Sequence, residues 1–120
     1  MYLGGTYMFD STSHGWLTAV DASTGKVRWR HRSPRPMLAA VTTTAGGLVF
    51  TGELTGDFLA FDAATGRELY RFNTGDPIGG GVVTYEVDGR RYVAVASGRP
   101  SPFWINEHPG APTVFVFSLP

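Results

Sequence analysis

Apolar residues in this chain occur in many short runs that are separated by glycine, aspartate and threonine. This pattern is typical of short β-strands joined by tight turns. A central group of four strands is predicted at residues 39–44, 48–54, 58–62 and 68–73. Two strands are predicted before this group, at residues 16–21 and 27–31, and three after it, at residues 82–86, 91–96 and 113–119. The pattern therefore predicts an all-β protein.

A twelve-residue unit occurs twice, at an offset of 41 residues. Residues 19–30 read A-V-D-A-S-T-G-K-V-R-W-R, and residues 60–71 read A-F-D-A-A-T-G-R-E-L-Y-R. The Asp of each unit can accept hydrogen bonds from the backbone N–H groups two and three residues later, and the Gly can take the positive φ that closes a short loop. The aromatic residue that follows, Trp29 or Tyr70, has a flat surface suited to packing against a neighbouring sheet. The unit is predicted to be structural rather than catalytic.

A repeat of about 40 to 45 residues that carries four short strands is typical of a β-propeller blade. We therefore predict an incomplete β-propeller of about two to three four-stranded antiparallel blades, against the alternative of two similar hairpins in an unrelated sandwich. Residues 1–32 would form the outer strands of one blade, residues 37–75 a complete blade, and residues 78–120 a three-stranded final blade. Because a closed ring needs at least about four blades, we expect the C-terminal part of a longer protein, or a truncated derivative of one.

The composition excludes several classes of function. Lys and Arg total 10, as do Asp and Glu, so the charge balance gives no reason to expect nucleic acid or an anionic membrane as a partner. Cysteine is absent, which excludes disulfides, thiolate metal sites and cysteine catalysis. The first residues lack the basic segment and the apolar core of a signal peptide.

Three runs of the chain carry a family resemblance. They are T-T-A-G-G-L-V-F-T-G at residues 43–52, G-D-F-L-A-F-D-A-A-T-G-R-E-L-Y-R-F-N-T-G at residues 56–75, and V-T-Y-E-V-D-G-R-R-Y-V-A-V-A-S-G at residues 83–98. In this order they resemble the last blades of quinoprotein dehydrogenases, the eight-bladed propellers that use pyrroloquinoline quinone (PQQ) to oxidise alcohols, glucose and related polyols. The end of the chain, V-F-V-F-S-L-P, also resembles that family's closing strand.

The resemblance implies a periplasmic oxidoreductase that binds PQQ and a divalent cation, usually calcium, on the propeller axis. Such an enzyme oxidises an alcohol or a sugar and passes electrons to a cytochrome c or to ubiquinone. The family's catalytic Asp, its metal-binding Glu and Asn, and most of its cofactor contacts come from earlier blades and have no counterpart in this chain. No catalytic or metal-binding residue is therefore assigned. The remaining blades of the parent are the expected partners, and the chain alone is expected to be inactive and to bind no cofactor.

The residues that enter the two inner strands are the candidates for contact with a cofactor, because inner strands begin near the propeller axis. These residues are Met37 and Leu38 in the complete blade, and Ile78 and Gly79 in the final blade. They would provide apolar contact with a flat cofactor or with the substrate entrance. The alternative interpretation is a turn followed by an ordinary buried strand.

Other motifs give weaker indications. The histidines lack the spacing of metal ligands; they are His14, His31 and His108. The three glycines at 79–81 lack the spacing and the following helix of a phosphate-binding loop. The irregular segment 99–112 could contribute to a substrate entrance, or could be a surface connection.

The leading functional prediction is therefore the C-terminal part of a PQQ-dependent dehydrogenase. Two alternatives stay open. One is a PQQ-like repeat propeller without cofactor that acts as a protein-binding scaffold, such as those that assemble outer-membrane proteins. The other is a structural remnant without activity. The dehydrogenase-like runs favour the first function over the scaffold, and the sequence does not separate the first function from the remnant.

Overall fold

The computed structural model describes residues 4–5, 12–98 and 110–119. These residues form nine β-strands in three antiparallel sheets, and each sheet follows chain order. The first sheet holds β1 (Gly15–Val20) and β2 (Val27–Ser33); the second holds β3 (Thr42–Thr43), β4 (Leu48–Gly52), β5 (Asp57–Asp62) and β6 (Glu68–Asn73); the third holds β7 (Val82–Val87), β8 (Arg90–Ser97) and β9 (Thr113–Ser118). The predicted all-β, incomplete propeller is confirmed. Within the described residues, no helix is long and apolar enough to cross a membrane.

The second sheet lies between the other two, and its strands β4 and β5 are buried on both faces, whereas β6 is exposed. Successive residues of a strand point to opposite faces, so Val49 of β4 contacts the first sheet, whereas Phe50 contacts the third. The core toward the first sheet consists of Leu17, Val49, Leu59 and Phe61. The core toward the third sheet consists of Phe50, Phe58, Ala60, Ile78, Val82, Val93 and Val95. Face-to-face packing of successive sheets is the arrangement of propeller blades.

The two repeated turns have the predicted geometry. The Oδ1 atom of Asp21 accepts hydrogen bonds from the backbone N–H groups two and three residues later, at 3.0 and 3.1 Å. Asp62 accepts the equivalent bonds at 3.0 and 2.8 Å. Gly25 and Gly66 close the turns with φ values of 70° and 72°. The conserved spacing of Asp and Gly in the repeat therefore reflects one turn used twice.

Trp29 docks the first sheet onto the turn of the second. Its Nε1–H donates to the carbonyl oxygen of Ala63 at 2.9 Å, and its indole covers Gly66, where a Cβ atom would lie 2.5 Å from Cδ2. The equivalent residue, Tyr70, meets Phe117 of the third sheet edge to face, with ring centroids 6.0 Å apart. Both aromatic residues thus pack against the next sheet, as the sequence predicts.

The inner strand β3 is shorter than predicted. The sequence indicates a strand over residues 39–44, but only Thr42 and Thr43 pair with β4. The N–H of Ala40 donates instead to the carbonyl oxygen of Gly80 at 3.0 Å, in the segment that precedes β7. The Thr42 hydroxyl donates to the carbonyl oxygen of Val82. The entry to the inner strand is therefore bonded partly to the third sheet.

Candidate functional site

The four predicted cofactor contacts lie at one end of the sheets. The segments that join neighbouring sheets, residues 34–41 and 74–81, lie at this end together with the turn at residues 53–56, because the strands are antiparallel and consecutive. We call it the connection end. The repeated Asp-to-Gly turns lie at the opposite end. Met37 and Leu38 belong to the first connecting segment, and Ile78 and Gly79 to the second.

Met37 and Ile78 occupy equivalent places, 41 residues apart, and both lie against glycine. A Cβ atom on Gly15 would lie 2.7 Å from Cγ of Met37. A Cβ atom on Gly52 would overlap the side chain of Ile78. The N–H of Ile78 also donates to the carbonyl oxygen of Glu53 at 3.0 Å. Both side chains therefore hold a connecting segment against a neighbouring strand.

Exposure divides the four candidates into two pairs. Ile78 is fully buried, and Met37 is half-buried against the core between the first and second sheets. Leu38 is 39% exposed and Gly79 is partly exposed. Only Leu38 and Gly79 thus combine a place at the connection end with surface that a ligand can reach. Contact between any of the four and a cofactor stays a prediction.

Gly79 lines a shallow recess at the connection end. The lining residues are Pro77, Gly79, Gly80, Ala96, Ser97, Gly98 and Pro112. The recess is held in place by hydroxyl groups: Ser97 Oγ donates to the carbonyl oxygen of Asp76 at 2.8 Å, and the Thr74 hydroxyl lies 2.8 Å from Ser97 Oγ. None of the lining side chains carries a charge. The recess therefore offers backbone and apolar surface.

A buried hydrogen-bonded pair of titratable side chains at the same end was not predicted. Glu53 is 2% exposed, and its Oε1 atom lies 2.8 Å from Nε2 of His31 in the first sheet. The Thr55 hydroxyl donates to the other carboxylate oxygen at 3.2 Å. The pair joins the first and second sheets. One signal was available in the sequence, since Glu53 directly follows an apolar strand, but nothing in the spacing pointed to His31.

A group of charged side chains lies on the second sheet, near this pair. Arg71 donates to Asp57 at 2.9 Å and to Glu68 at 2.7 Å. The hydrogen bonds from Arg71 lower the pKa of the Glu68 carboxyl. Burial raises the pKa of Asp57, but hydrogen bonds from Asn73, Thr55 and Arg71 outweigh it and lower that pKa. These carboxylates therefore stay ionised and paired.

Comparison with known proteins identifies the family. A family model described as outer membrane protein assembly factor BamB matches residues 13–108. Quinoprotein alcohol dehydrogenase PedE from Pseudomonas putida is 48% identical over 84 residues, which cover 70% of this chain and 13% of that protein. Quinoprotein ethanol dehydrogenase from Pseudomonas aeruginosa is 47% identical over 92 residues, which cover 75% of this chain and 15% of that protein.

A solved structure agrees with these matches. Quinohemoprotein alcohol dehydrogenase from Comamonas testosteroni superposes with a TM-score of 0.75 at 34% identity, over 88% of this chain and 16% of that one. The chain belongs to the quinoprotein dehydrogenase family. This quinoprotein dehydrogenase chain spans 13% and 15% of the lengths of the two curated relatives above. The match therefore shows the family of this chain but not the activity of a whole family member.

The connection end of this quinoprotein dehydrogenase chain offers apolar surface on which a planar cofactor such as PQQ could be tested. The recess beside Gly79 and the exposed face of Leu38 suit an apolar contact with a planar ring system. The carboxylates of PQQ need cationic partners, and the recess provides none. Within the described residues, no group of three His, Asp or Glu side chains is arranged to hold a metal ion. Among the residues that line the recess, none can pair with the charged groups of PQQ.

Proposed function

We propose that this chain forms part of a PQQ-dependent dehydrogenase that oxidises an alcohol, a polyol or a sugar. The observation that carries the proposal is the identity of 47% to quinoprotein ethanol dehydrogenase over three quarters of the chain. The open recess at the connection end supports it, because it lies beside Gly79, where the chain enters an inner strand, and inner strands lie next to the axis of a complete propeller. The chain alone is inactive, since the family's catalytic Asp has no counterpart in its sequence.

Within such an enzyme, the four residues of the connection end have two different roles. Leu38 and Gly79 contact the flat cofactor, while Met37 and Ile78 hold the two connecting segments in place. PQQ, with a divalent cation that is usually calcium, accepts the two electrons of the oxidation when it is bound. Most ligands of both groups belong to the other blades. The whole enzyme works in the periplasm, with a cytochrome c or ubiquinone as electron acceptor.

A second candidate function is a protein-binding scaffold without cofactor. The match of residues 13–108 to the model described as outer membrane protein assembly factor BamB favours it. The exposed sheet faces of the chain would then be covered by protein partners. The two functions differ in one measurable property, which is PQQ binding.

A chimera tests the proposal directly. The matched segment of the quinoprotein ethanol dehydrogenase from Pseudomonas aeruginosa is replaced by this chain, and PQQ affinity and dye-linked ethanol oxidation are measured. We expect the chimera to bind PQQ and to oxidise ethanol. A folded chimera that binds no PQQ would contradict the proposal and favour the scaffold.

Paired variants of the chimera test the connection end. Leu38→Asp places a carboxylate beside an anionic cofactor, and we expect the Kd for PQQ to rise about tenfold, which corresponds to about 1.4 kcal/mol. Leu69→Asp is the matched control, because Leu69 has a similar exposure of 42% but lies on the outer strand β6. Equal effects of the two substitutions on PQQ affinity would remove Leu38 from the site.

A further inference from the structure

Glu53 is bonded to parts of all three sheets at the connection end. Its carboxyl group lies 2.8 Å from Nε2 of His31, in β2 of the first sheet. Its carbonyl oxygen accepts the N–H of Ile78, in the segment that enters the third sheet, at 3.0 Å. Its N–H donates to the carbonyl oxygen of Asp57, at the start of β5, at 2.9 Å. One buried residue in a turn of the second sheet therefore connects the three sheets.

Docking of two sheets does not require a polar pair such as His31 and Glu53. At the offset of 41 residues, His31 corresponds to Phe72. Phe72 contacts Phe115 and Phe117 of the third sheet, with ring centroids 5.8 and 5.3 Å apart. Aromatic contact thus holds the second and third sheets together, and replacement of a buried ion pair by apolar residues is often neutral or stabilising. Docking alone therefore does not explain the pair.

The packing around Glu53 leaves no free space toward the recess. Gly52 directly precedes Glu53, and a Cβ atom on Gly52 would overlap the side chain of Ile78, which is fully buried. Close-packed interiors transmit a displacement rather than absorb it. A shift of residues 52 and 53 therefore displaces Ile78, and with it Gly79, which lines the recess.

Loss of the His31 ring nitrogens would produce such a shift. The Glu53 carboxyl group is 2% exposed, and its other hydrogen bond within the described residues comes from the Thr55 hydroxyl at 3.2 Å. A buried polar group that lacks hydrogen bonds is unfavourable, so residue 53 would move toward water. Because the carbonyl oxygen of the same residue holds the N–H of Ile78, this movement would loosen the connecting segment.

We propose that Glu53 is a positioning residue, which uses its bond to His31 to fix the wall of the recess at Gly79 for contact with PQQ. The inference rests on the proposed function, because that function makes the recess a cofactor contact. It adds that a side chain of the first sheet, which does not line the recess, influences the affinity for PQQ. Both His31 and Glu53 act through Ile78 rather than by contact with the cofactor.

The test compares two substitutions of His31 in the ethanol dehydrogenase chimera, with the full chain in place. His31→Phe retains a ring against Phe61, where the centroids of the native rings are 4.8 Å apart, but removes the partner of Glu53. His31→Gln retains an N–H donor. Two quantities are measured: the Kd for PQQ, and the rate of hydrogen exchange in residues 74–81 relative to that in β8.

With His31→Phe, we expect the Kd for PQQ to rise at least about threefold. We expect the relative exchange of residues 74–81 to become at least about tenfold faster, because the bond from Ile78 to Glu53 opens more often. With His31→Gln, we expect both quantities to stay close to those of the unsubstituted chimera. If His31→Phe is insoluble, His31→Leu replaces it with the same expectations.

Trp29→Phe is the matched control. Trp29 also holds β2 against the second sheet, but it does so at the opposite end, through its bond to Ala63. We expect Trp29→Phe to lower the melting temperature and to leave the Kd for PQQ and the relative exchange unchanged. If His31 had a purely structural role, His31→Phe and Trp29→Phe would act alike.

Three results would overturn the inference. The first is unchanged relative exchange in His31→Phe. The second is faster exchange without any loss of PQQ affinity, in a chimera that binds PQQ. The third is an equal effect of Trp29→Phe and His31→Phe on both quantities.

The failures of the two proposals are distinguishable. A chimera that binds PQQ and oxidises ethanol, but gives one of these three results, overturns the positioning inference alone. A chimera that binds no PQQ, but in which His31→Phe accelerates exchange in residues 74–81 and Trp29→Phe does not, overturns the proposed function. The positioning of the recess by Glu53 would then still stand.

Discussion

At the residue scale, the two glycines of the repeated turns have the same backbone conformation but different neighbours. Substitutions at the two sites can therefore distinguish the cost of the conformation from the cost of a steric conflict. Gly25 and Gly66 have φ values of 70° and 72°, but a Cβ atom would meet open space at Gly25 and the Trp29 indole at Gly66. An alanine in this conformation costs about 1–2 kcal/mol at either site. Only the second site adds a steric conflict, which costs about 1–3 kcal/mol more.

We therefore expect Gly66→Ala to lower the free energy of unfolding by at least about 1 kcal/mol more than Gly25→Ala does. Urea denaturation of the dilute chain, followed by the fluorescence of its tryptophans, measures both values. Equal losses at the two positions would show that Trp29 does not dock on the turn of the second sheet.

Thr51 provides a second prediction at this scale. It is fully buried in β4, and its Oγ1 atom has no hydrogen-bond partner within the described residues. Replacement of an unpaired buried hydroxyl by a methyl group removes a desolvation cost of about 1–3 kcal/mol. We expect Thr51→Val to raise the midpoint of urea unfolding. Thr42→Val is the control and should lower it, because the Thr42 hydroxyl donates to Val82; a loss of stability in Thr51→Val would contradict the prediction.

The candidate site shows how far single residues can be predicted from sequence. The segments of Met37 and Ile78 were found because the repeat marks where each inner strand begins. The buried contact of Ile78 with Gly52 was not predictable, since it depends on how closely two sheets approach. The pair of His31 and Glu53 was equally hidden, because its partners lie in different sheets and follow no local pattern.

At the scale of elements, the carboxylates of the repeated turns make the stability of the fold depend on pH in the acidic range. The hydroxyl and N–H of Ser23, with the Arg28 guanidinium, lower the pKa of Asp21 from its ordinary 3.8 to about 2. The hydroxyl of Thr65 lowers the pKa of Asp62 in the same way. A carboxyl group with a lower pKa in the folded state stabilises the fold above its ordinary pKa, and this contribution is lost as the pH falls through the folded value.

We therefore expect stability to fall between pH 3.8 and pH 2, and Asp21→Asn to make this fall shallower. The midpoint of urea unfolding, measured across this range, reports the slope. Asp88→Asn in the turn between β7 and β8 is the control, because its carboxylate accepts no hydrogen bond within the described residues. An unchanged slope in Asp21→Asn would show that the turn carboxylate is not coupled to folding.

The strands were predictable where local sequence decides them. The predicted and observed limits of β6 agree, because a repeated turn starts the strand and a polar Asn ends it. The limits of β3 do not agree, because Ala40 bonds to Gly80 in another sheet. Local pattern thus predicts the outer strands, whereas the inner strand depends on a neighbour 40 residues away.

The irregular segment predicted to reach an entrance lies mostly outside the described residues. Its aromatic residues, Phe103 and Trp104, and its histidine, His108, belong to the part that the structure does not describe. Their predicted contribution to a substrate entrance stays a prediction.

At the scale of the whole molecule, the sheets at either side of the second sheet have one covered face and one open face. The open face of the third sheet is the more apolar, and its valines are widely exposed, with Val83 at 55%, Val114 at 67% and Val116 at 53%. Exposed apolar patches of this kind mark surfaces that another protein surface covers. We therefore expect another protein surface to cover the open face of the third sheet.

The measurement that tests this account most directly is the mass of the isolated chain in solution as a function of its concentration. We expect sedimentation velocity to show self-association that the paired substitutions Val83→Lys and Val116→Lys abolish, while Val41→Lys, at a site that is 52% exposed outside the third sheet, does not. A chain that stays a monodisperse monomer at every concentration and melts cooperatively would contradict the account, because its open sheet faces would then need no neighbouring blade.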